Sequence, residues 1–197
     1  MLRKITDKEN IAKARERRNK KLVTIIAFIL LASMILSTIA YLAPEGARQE
    51  EQEIIYNNIK FLLDENSRWN FNYAGNDYAL FFNPLELKNI SIKITDNLQT
   101  YYGKTVYFAF DTGDPFQYGI SEIETNLNRF VRFNSACLNA NCSFDYPFKS
   151  CDKDNVIVFK TENISKIEQK ENCIFISYKD NSDLKSTDAF IYKILGI

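Results

Sequence analysis

Two groups of residues in this chain have the types and spacing to do chemistry. Asp111-Thr112-Gly113-Asp114 sets two carboxylates and a hydroxyl within four positions, and Cys137, Cys142, Cys151 and Cys173 supply four thiols. Oxygen ligands like those of Asp111, Thr112 and Asp114 suit a hard cation, and the two carboxylates suit ligand binding or hydrolysis. Turn formation competes with that reading, because Asp, Gly and Pro bend chains and Asp caps helices. An even number of cysteines points to two disulfides formed in an oxidising compartment. Sequence leaves three pairings open; closing the shorter loops favours Cys137–Cys142 with Cys151–Cys173. A zinc site built from all four thiolates is the rival reading, along with free thiols. The cysteine intervals of four, eight and twenty-one residues lack the C-x-x-C knuckles of common zinc ribbons and the C-x-x-C of thioredoxin-type redox sites.

The chain contains no His. That removes Ser-His-Asp and Cys-His catalysis and every His-containing metal site. No Gly-rich phosphate loop and no GxSxG occurs either. We therefore expect a non-enzymatic protein without a metal or cofactor. Three N-x-S/T sequons begin at Asn89, Asn141 and Asn163, and about two would arise by chance in a chain so rich in Asn.

The elements that must position these groups follow from periodicity. Thr105–Phe110 is a continuous run of strand formers, as expected of a strand covered on both faces. Asp111–Gln117 is then a loop. Ile120–Phe133 reads as an amphipathic helix, with Ile120, Ile123, Leu127, Phe130 and Val131 inward and Glu122, Glu124, Asn126 and Arg129 outward. Ser121 and Glu124 offer it a capping box. With the strand Asn155–Lys160 this makes a βαβ crossover whose return carries the cysteine loop, residues 134–154. Asp111 and Asp114 would then lie at the strand edge where open α/β sheets bind ligands.

Upstream, Ile59–Leu63, Arg68–Ala74 and Asp77–Asn83 read as a meander. A turn at Gly75-Asn76 pairs Tyr73 with Tyr78, Phe71 with Leu80 and Trp69 with Phe82, all on one face. Ile90–Thr95 is a further strand, and Asp96–Tyr102 forms two helical turns closed by Gly103. Downstream, Ser165–Gln169 and Cys173–Tyr178 form a hairpin. The chain closes with a helix capped by Ser182, lined by Leu184, Phe190, Ile191, Ile194 and Leu195, and stopped by Gly196.

One stretch stands apart. Leu22–Ala43 holds 22 residues without a charge, and as a helix it would reach roughly 33 Å, enough to cross a hydrocarbon core. Thr38-x-Ala40 offers a weak signal-peptidase site, but the apolar run exceeds the usual signal-peptide core of about 7–15 residues. Residues 1–21 carry nine Lys or Arg against Asp7, Glu9 and Glu16, so the neutral chain leaves residues 22–197 at minus six. The basic excess keeps the N-terminus in the cytoplasm and sends the rest outside. The expected organisation is a basic cytoplasmic tail 1–21, a transmembrane helix 22–43, a juxtamembrane stalk 44–56, and an extracytoplasmic domain 57–197. That domain should be α+β or α/β, with a mixed sheet, an N-terminal β-meander, one βαβ-like crossover and a C-terminal helix. The expected partners are the lipid bilayer and an unidentified membrane or extracytoplasmic protein. The acidic balance of residues 22–197 argues against nucleic acid.

The layout and the ending Phe190-x-Tyr192-Lys193-Ile194-Leu195-Gly196-Ile197 resemble small single-pass archaeal membrane proteins of no assigned function, as does a cysteine-bearing loop before a hairpin. That resemblance implies a single-pass anchor and no activity. The layout also resembles type IV pilins, although the Asn19-Lys20-Lys21-Leu22 junction lacks their small residue before the cut. Asp111-Thr112-Gly113 resembles the D-T-G of aspartic proteases; no second D-T/S-G occurs, although a homodimer could supply one, and the α/β pattern disagrees with an all-β protease.

Overall fold

The computed structural model describes residues 21, 23–35, 52–110, 116–138, 142, 145–180 and 183–197, with Phe110 described by its backbone. The chain divides into two units, Met1–Glu50 and Glu51–Ile197. In the first, residues 23–35 form helix α1, and every one of them is exposed. No helix among the described residues is long and apolar enough to cross a membrane. The expected span Leu22–Ala43 lies partly outside the described residues.

The second unit is an α+β fold of two separate sheets. Sheet A is an antiparallel meander of β1 (Glu53–Tyr56), β2 (Ile59–Leu63), β3 (Trp69–Tyr73) and β4 (Asn76–Leu80). A polar stalk was expected to run to Tyr56; instead Glu53–Tyr56 pairs with β2, because Ile54 and Tyr56 pack against the core. The β3–β4 turn falls at Ala74 (φ 49°) and Gly75 (φ 76°), both in the left-handed region a two-residue hairpin turn uses. The register is therefore Tyr73 with Asn76, Phe71 with Tyr78 and Trp69 with Leu80. Moving the turn by one residue shifts each partner by two, so the expected face is kept. Trp69, Phe71, Tyr78 and Leu80 are all buried. Phe82 lies beyond β4 instead of opposite Trp69.

Sheet B contains β5 (Ser91–Lys93), β6 (Thr105–Phe110), β7 (Arg132–Ser135), β8 (Val156–Thr161), β9 (Lys166–Lys170) and β10 (Cys173–Tyr178), in the order β5-β9-β10-β8-β6-β7. Strands β10, β8, β6 and β7 run parallel, and β9 is antiparallel to β10. Short helix α2 (Leu98–Tyr101) precedes β6, and Gly103 (φ 69°) turns the chain after it.

Helix α3 is Gln117–Leu127, not Ile120–Phe133. Ser121 therefore lies inside the helix and caps nothing; the N-cap is Phe116, without a side-chain bond. The apolar spacing continued past Leu127 because Val131 and Phe133 reach the same core from coil and strand. The crossover is accordingly β6–α3–β7, and β8 joins the other side of β6. Residues 134 and 135, expected in the cysteine loop, belong to β7.

Helix α4 (Lys185–Leu195) lies between the sheets. Tyr192 packs on Phe61 and Phe71 of sheet A, with ring centroids 6.0 and 5.5 Å away. Its other side joins the core built by Ile157, Ile174 and Ile176 of sheet B. Gly196 (φ 84°) ends it as expected, with Ile197 N–H donating to the Tyr192 carbonyl at 3.0 Å. Ser182, the expected cap, lies outside the described residues.

Helices α3 and α4 meet at Gly119. A Cβ there would stand 2.4 Å from two ring carbons of Phe116 and 3.0 Å from Thr187 Oγ1. The Phe116 ring is held by stacking on Tyr178 at 4.0 Å between centroids. Overpacking costs about 1–3 kcal/mol, against up to about 1 kcal/mol gained when Ala replaces a helical Gly. Gly119→Ala should thus destabilise the full chain by about 1–2 kcal/mol, read as a lower urea midpoint in the fluorescence of Trp69. A higher midpoint would show that the crossing has slack.

Candidate functional site

The first candidate group, Asp111, Thr112 and Asp114, lies outside the described residues. What is described is its setting: β6 runs parallel to both neighbours, β7 and β8, and α3 begins at Gln117.

The four cysteines are placed. They form Cys137–Cys142 and Cys151–Cys173, and none is free. Among the described residues no group of His, Cys, Asp or Glu could hold a metal ion. The wider bridge fastens the loop before β8 to the first residue of β10, with Asn172 N–H donating to the Cys151 carbonyl at 3.0 Å. Cys173 is fully buried with Ala109, Val156 and Val158 in a small second core on the far face of sheet B. Lys149 bonds Asp154 at 3.0 Å and stands 4.3 Å over the Tyr107 ring. The loop is thus a lid over that face, and its bridges hold it there.

A second group was missed by sequence reasoning. Glu122 and Asn126, expected outward, are 4% and 1% exposed. Both face β4, the edge strand of sheet A. Asn126 Oδ1 accepts from Ala79 N–H at 3.1 Å, and its Nδ2 donates to the Ala79 carbonyl at 3.2 Å. Arg68 Nη2 donates to that same carbonyl and to Glu122 Oε1, the latter at 2.7 Å. Its guanidinium lies 4.4 Å over the Phe81 ring. Arg129 Nη2 reaches the Asp77 carbonyl at 2.7 Å. Side chains therefore occupy edge groups that would otherwise invite another strand.

Helix α4 holds the next segment. Asp188 Oδ2 accepts from Phe82 N–H at 2.9 Å, and Tyr192 Oη donates to the Phe82 carbonyl at 3.0 Å. Asp188 is 0% exposed, and its Oδ1 has no hydrogen-bond partner. Burial raises the Asp188 carboxyl well above its ordinary value, and the nearby Glu122 charge adds to the rise; Phe82 N–H and Arg68 oppose it. Burial also raises Glu122, against the pull of Arg68. A carboxyl removed from water without a counter-charge neutralises instead of ionising. Burial thus favours the neutral form of Asp188 over the ionised one. Raised carboxyls mark functional clefts elsewhere, but this pair is enclosed, and no substrate reaches it while sheet A rests on α4. The group is a clasp between layers. The only signal for it in the sequence was the paired polar positions Glu122 and Asn126, one helical turn apart on a helix otherwise read as exposed on that side.

No family profile, curated protein or solved structure matches this chain.

Two outcomes follow. The folded-state carboxyl of Asp188 lies above its ordinary 3.8, so its contribution is full below that value and is lost as pH rises through the raised one. As pH rises from 3.8, the urea midpoint of the wild type should fall more steeply than that of Asp188→Asn; equal slopes would show Asp188 ionised throughout. Replacing Cys151 and Cys173 by Ser should cost about 3 kcal/mol, and replacing Cys137 and Cys142 about 1 kcal/mol less, because the second bridge closes a shorter loop. Equal losses by chemical denaturation would contradict the loop-length account.

Proposed function

We propose that this chain is a single-pass, N-in membrane protein whose disulfide-bearing α+β unit is presented outside the cytoplasm as a non-enzymatic scaffold, assembly or interaction subunit. The observation that carries this reading is the uncharged run Leu22–Ala43 set directly after nine Lys and Arg. Two features support it. The described part of α1 turns apolar side chains outward all round, with Phe28 71% and Met34 70% exposed, which suits a hydrocarbon solvent. Both bridges lie in the second unit, as an oxidising compartment permits. The basic tail then meets anionic head groups, at about 1 kcal/mol per residue near the surface.

A partner-binding role rests on the same enclosure that disfavours catalysis. The described buried carboxyls face inward, and the cysteines are spent on bridges. What such a unit offers to others is its outer surface. The test is intact mass spectrometry of protein extracted from membranes, alkylated with and without prior reduction. The expected result is an uncut chain that takes alkyl groups on its cysteines only after reduction. Four alkyl groups without reduction would place the unit in a reducing compartment and refute the topology. A mass matching cleavage before Leu22 would replace it with a pilin-like assembly.

A further inference from the structure

Two of the sequons come together at one corner of the fold. Asn89 lies in the turn before β5, and Asn163 in the bend before β9. Strands β5 and β9 are parallel neighbours, with Ser91 opposite Lys166. The two sequons, Asn89-Ile90-Ser91 and Asn163-Ile164-Ser165, therefore enter adjacent strands at the same end. Adjacent strands lie about 4.8 Å apart. Both asparagines are exposed, and neither side chain makes a hydrogen bond among the described residues. Ile164, the middle residue of the second sequon, is 68% exposed. The third sequon, at Asn141, lies outside the described residues.

We infer that Asn89 and Asn163 are a paired acceptor site for N-linked oligosaccharide. The inference rests on the outside placement proposed above. The co-reactant is an oligosaccharide carried on a polyprenyl phosphate or diphosphate. The side-chain amide nitrogen bonds to the anomeric carbon, and the bond from that carbon to the phosphate oxygen breaks. The amide gives up one proton, which balances the charge of the released lipid phosphate, and nothing is oxidised or reduced.

Placement gives the modification a physical task. β5 is a three-residue strand at the edge of sheet B. Sheet A has its β4 edge occupied by Asn126, Arg68 and Arg129; among the described residues no side chain occupies the outer backbone groups of β5 in that way. Two hydrated glycans at the start of this edge block its pairing with another strand and cover Ile164. Ser165 also donates to Asp183 Oδ2 at 2.5 Å in the folded chain.

The experiment is translation of the full chain with endoplasmic-reticulum microsomes, in an Asn141→Gln background. A Gly/Ser linker bearing one reporter sequon follows Ile197. Three glycan increments are expected on a gel, all removed by endoglycosidase. Asn89→Gln and Asn163→Gln should each remove one, and the double variant should keep only the reporter. A reporter glycan alone would overturn the inference while leaving the topology standing. Glycan at only one asparagine would overturn the pairing. No increment at all, reporter included, would overturn the outside placement and the inference together.

Discussion

Helix α4 is the last element of the chain, yet nine of its eleven residues are buried. Only Lys185 and Lys193 of this helix are exposed, so its other polar groups are cut off from water and are costly unless partnered or neutral; among the described residues Ser186 Oγ, Thr187 Oγ1 and Asp188 Oδ1 have no partner. Sheet B supplies an apolar bed, and Tyr192 turns its ring onto the aromatic face of sheet A. Asp188 and Tyr192 grip the amide and carbonyl of Phe82, just beyond β4. Remove α4 and both sheets lose the surface on which they are built. Sheet A on its own would be a small meander with one apolar face, and such assemblies need packing to persist.

Neutralising Asp188 is the less obvious half of that arrangement. Ionised, it would be a buried negative charge beside Glu122, with Oδ1 unsatisfied. The nearest cation, Arg68, is already engaged by Glu122 and by the Ala79 carbonyl. One guanidinium thus serves two carboxyls, and the one in contact takes most of its charge. For the other, the neutral form is favoured. The contribution of Asp188 consequently falls as the solution becomes more alkaline, the reverse of a salt-bridged surface carboxylate such as Asp154.

Strands β2, β3 and β4 were legible because each places apolar residues at a period of two between turn residues, whereas β1 read as a polar stalk. The disulfide pairing was legible because short loops dominate the choice. What escaped detection has one cause. Burial on both sides of a helix erases the contrast that periodicity relies on. Glu122 and Asn126 look solvent-facing by type, yet Asn126 bonds both backbone groups of Ala79 on a strand far earlier in sequence, and Glu122 accepts from Arg68. The end of α3 was misplaced for a related reason. Val131 and Phe133 continue an apolar spacing that belongs to a helix up to Leu127 and to the approach to β7 afterwards. Local pattern does not record which element delivers a side chain to a shared core.

These features bear on what the unit can do for a partner. Its described titratable cluster is sealed, its thiols are bridged, and the β4 edge of sheet A is occupied by its own side chains. Sheet B has its far face lidded in part by the disulfide loop, with Phe148 on that loop 68% exposed. Recognition by such a surface depends on shape and on a few exposed aromatics, Tyr118 and Phe148 among them, more than on a reacting group. The buried polar groups join the layers, and the bridges tie the described part of the cysteine loop to β10 and to itself. Cross-links and inter-layer bonds of this kind lower the ordering penalty that any association through the surface would carry.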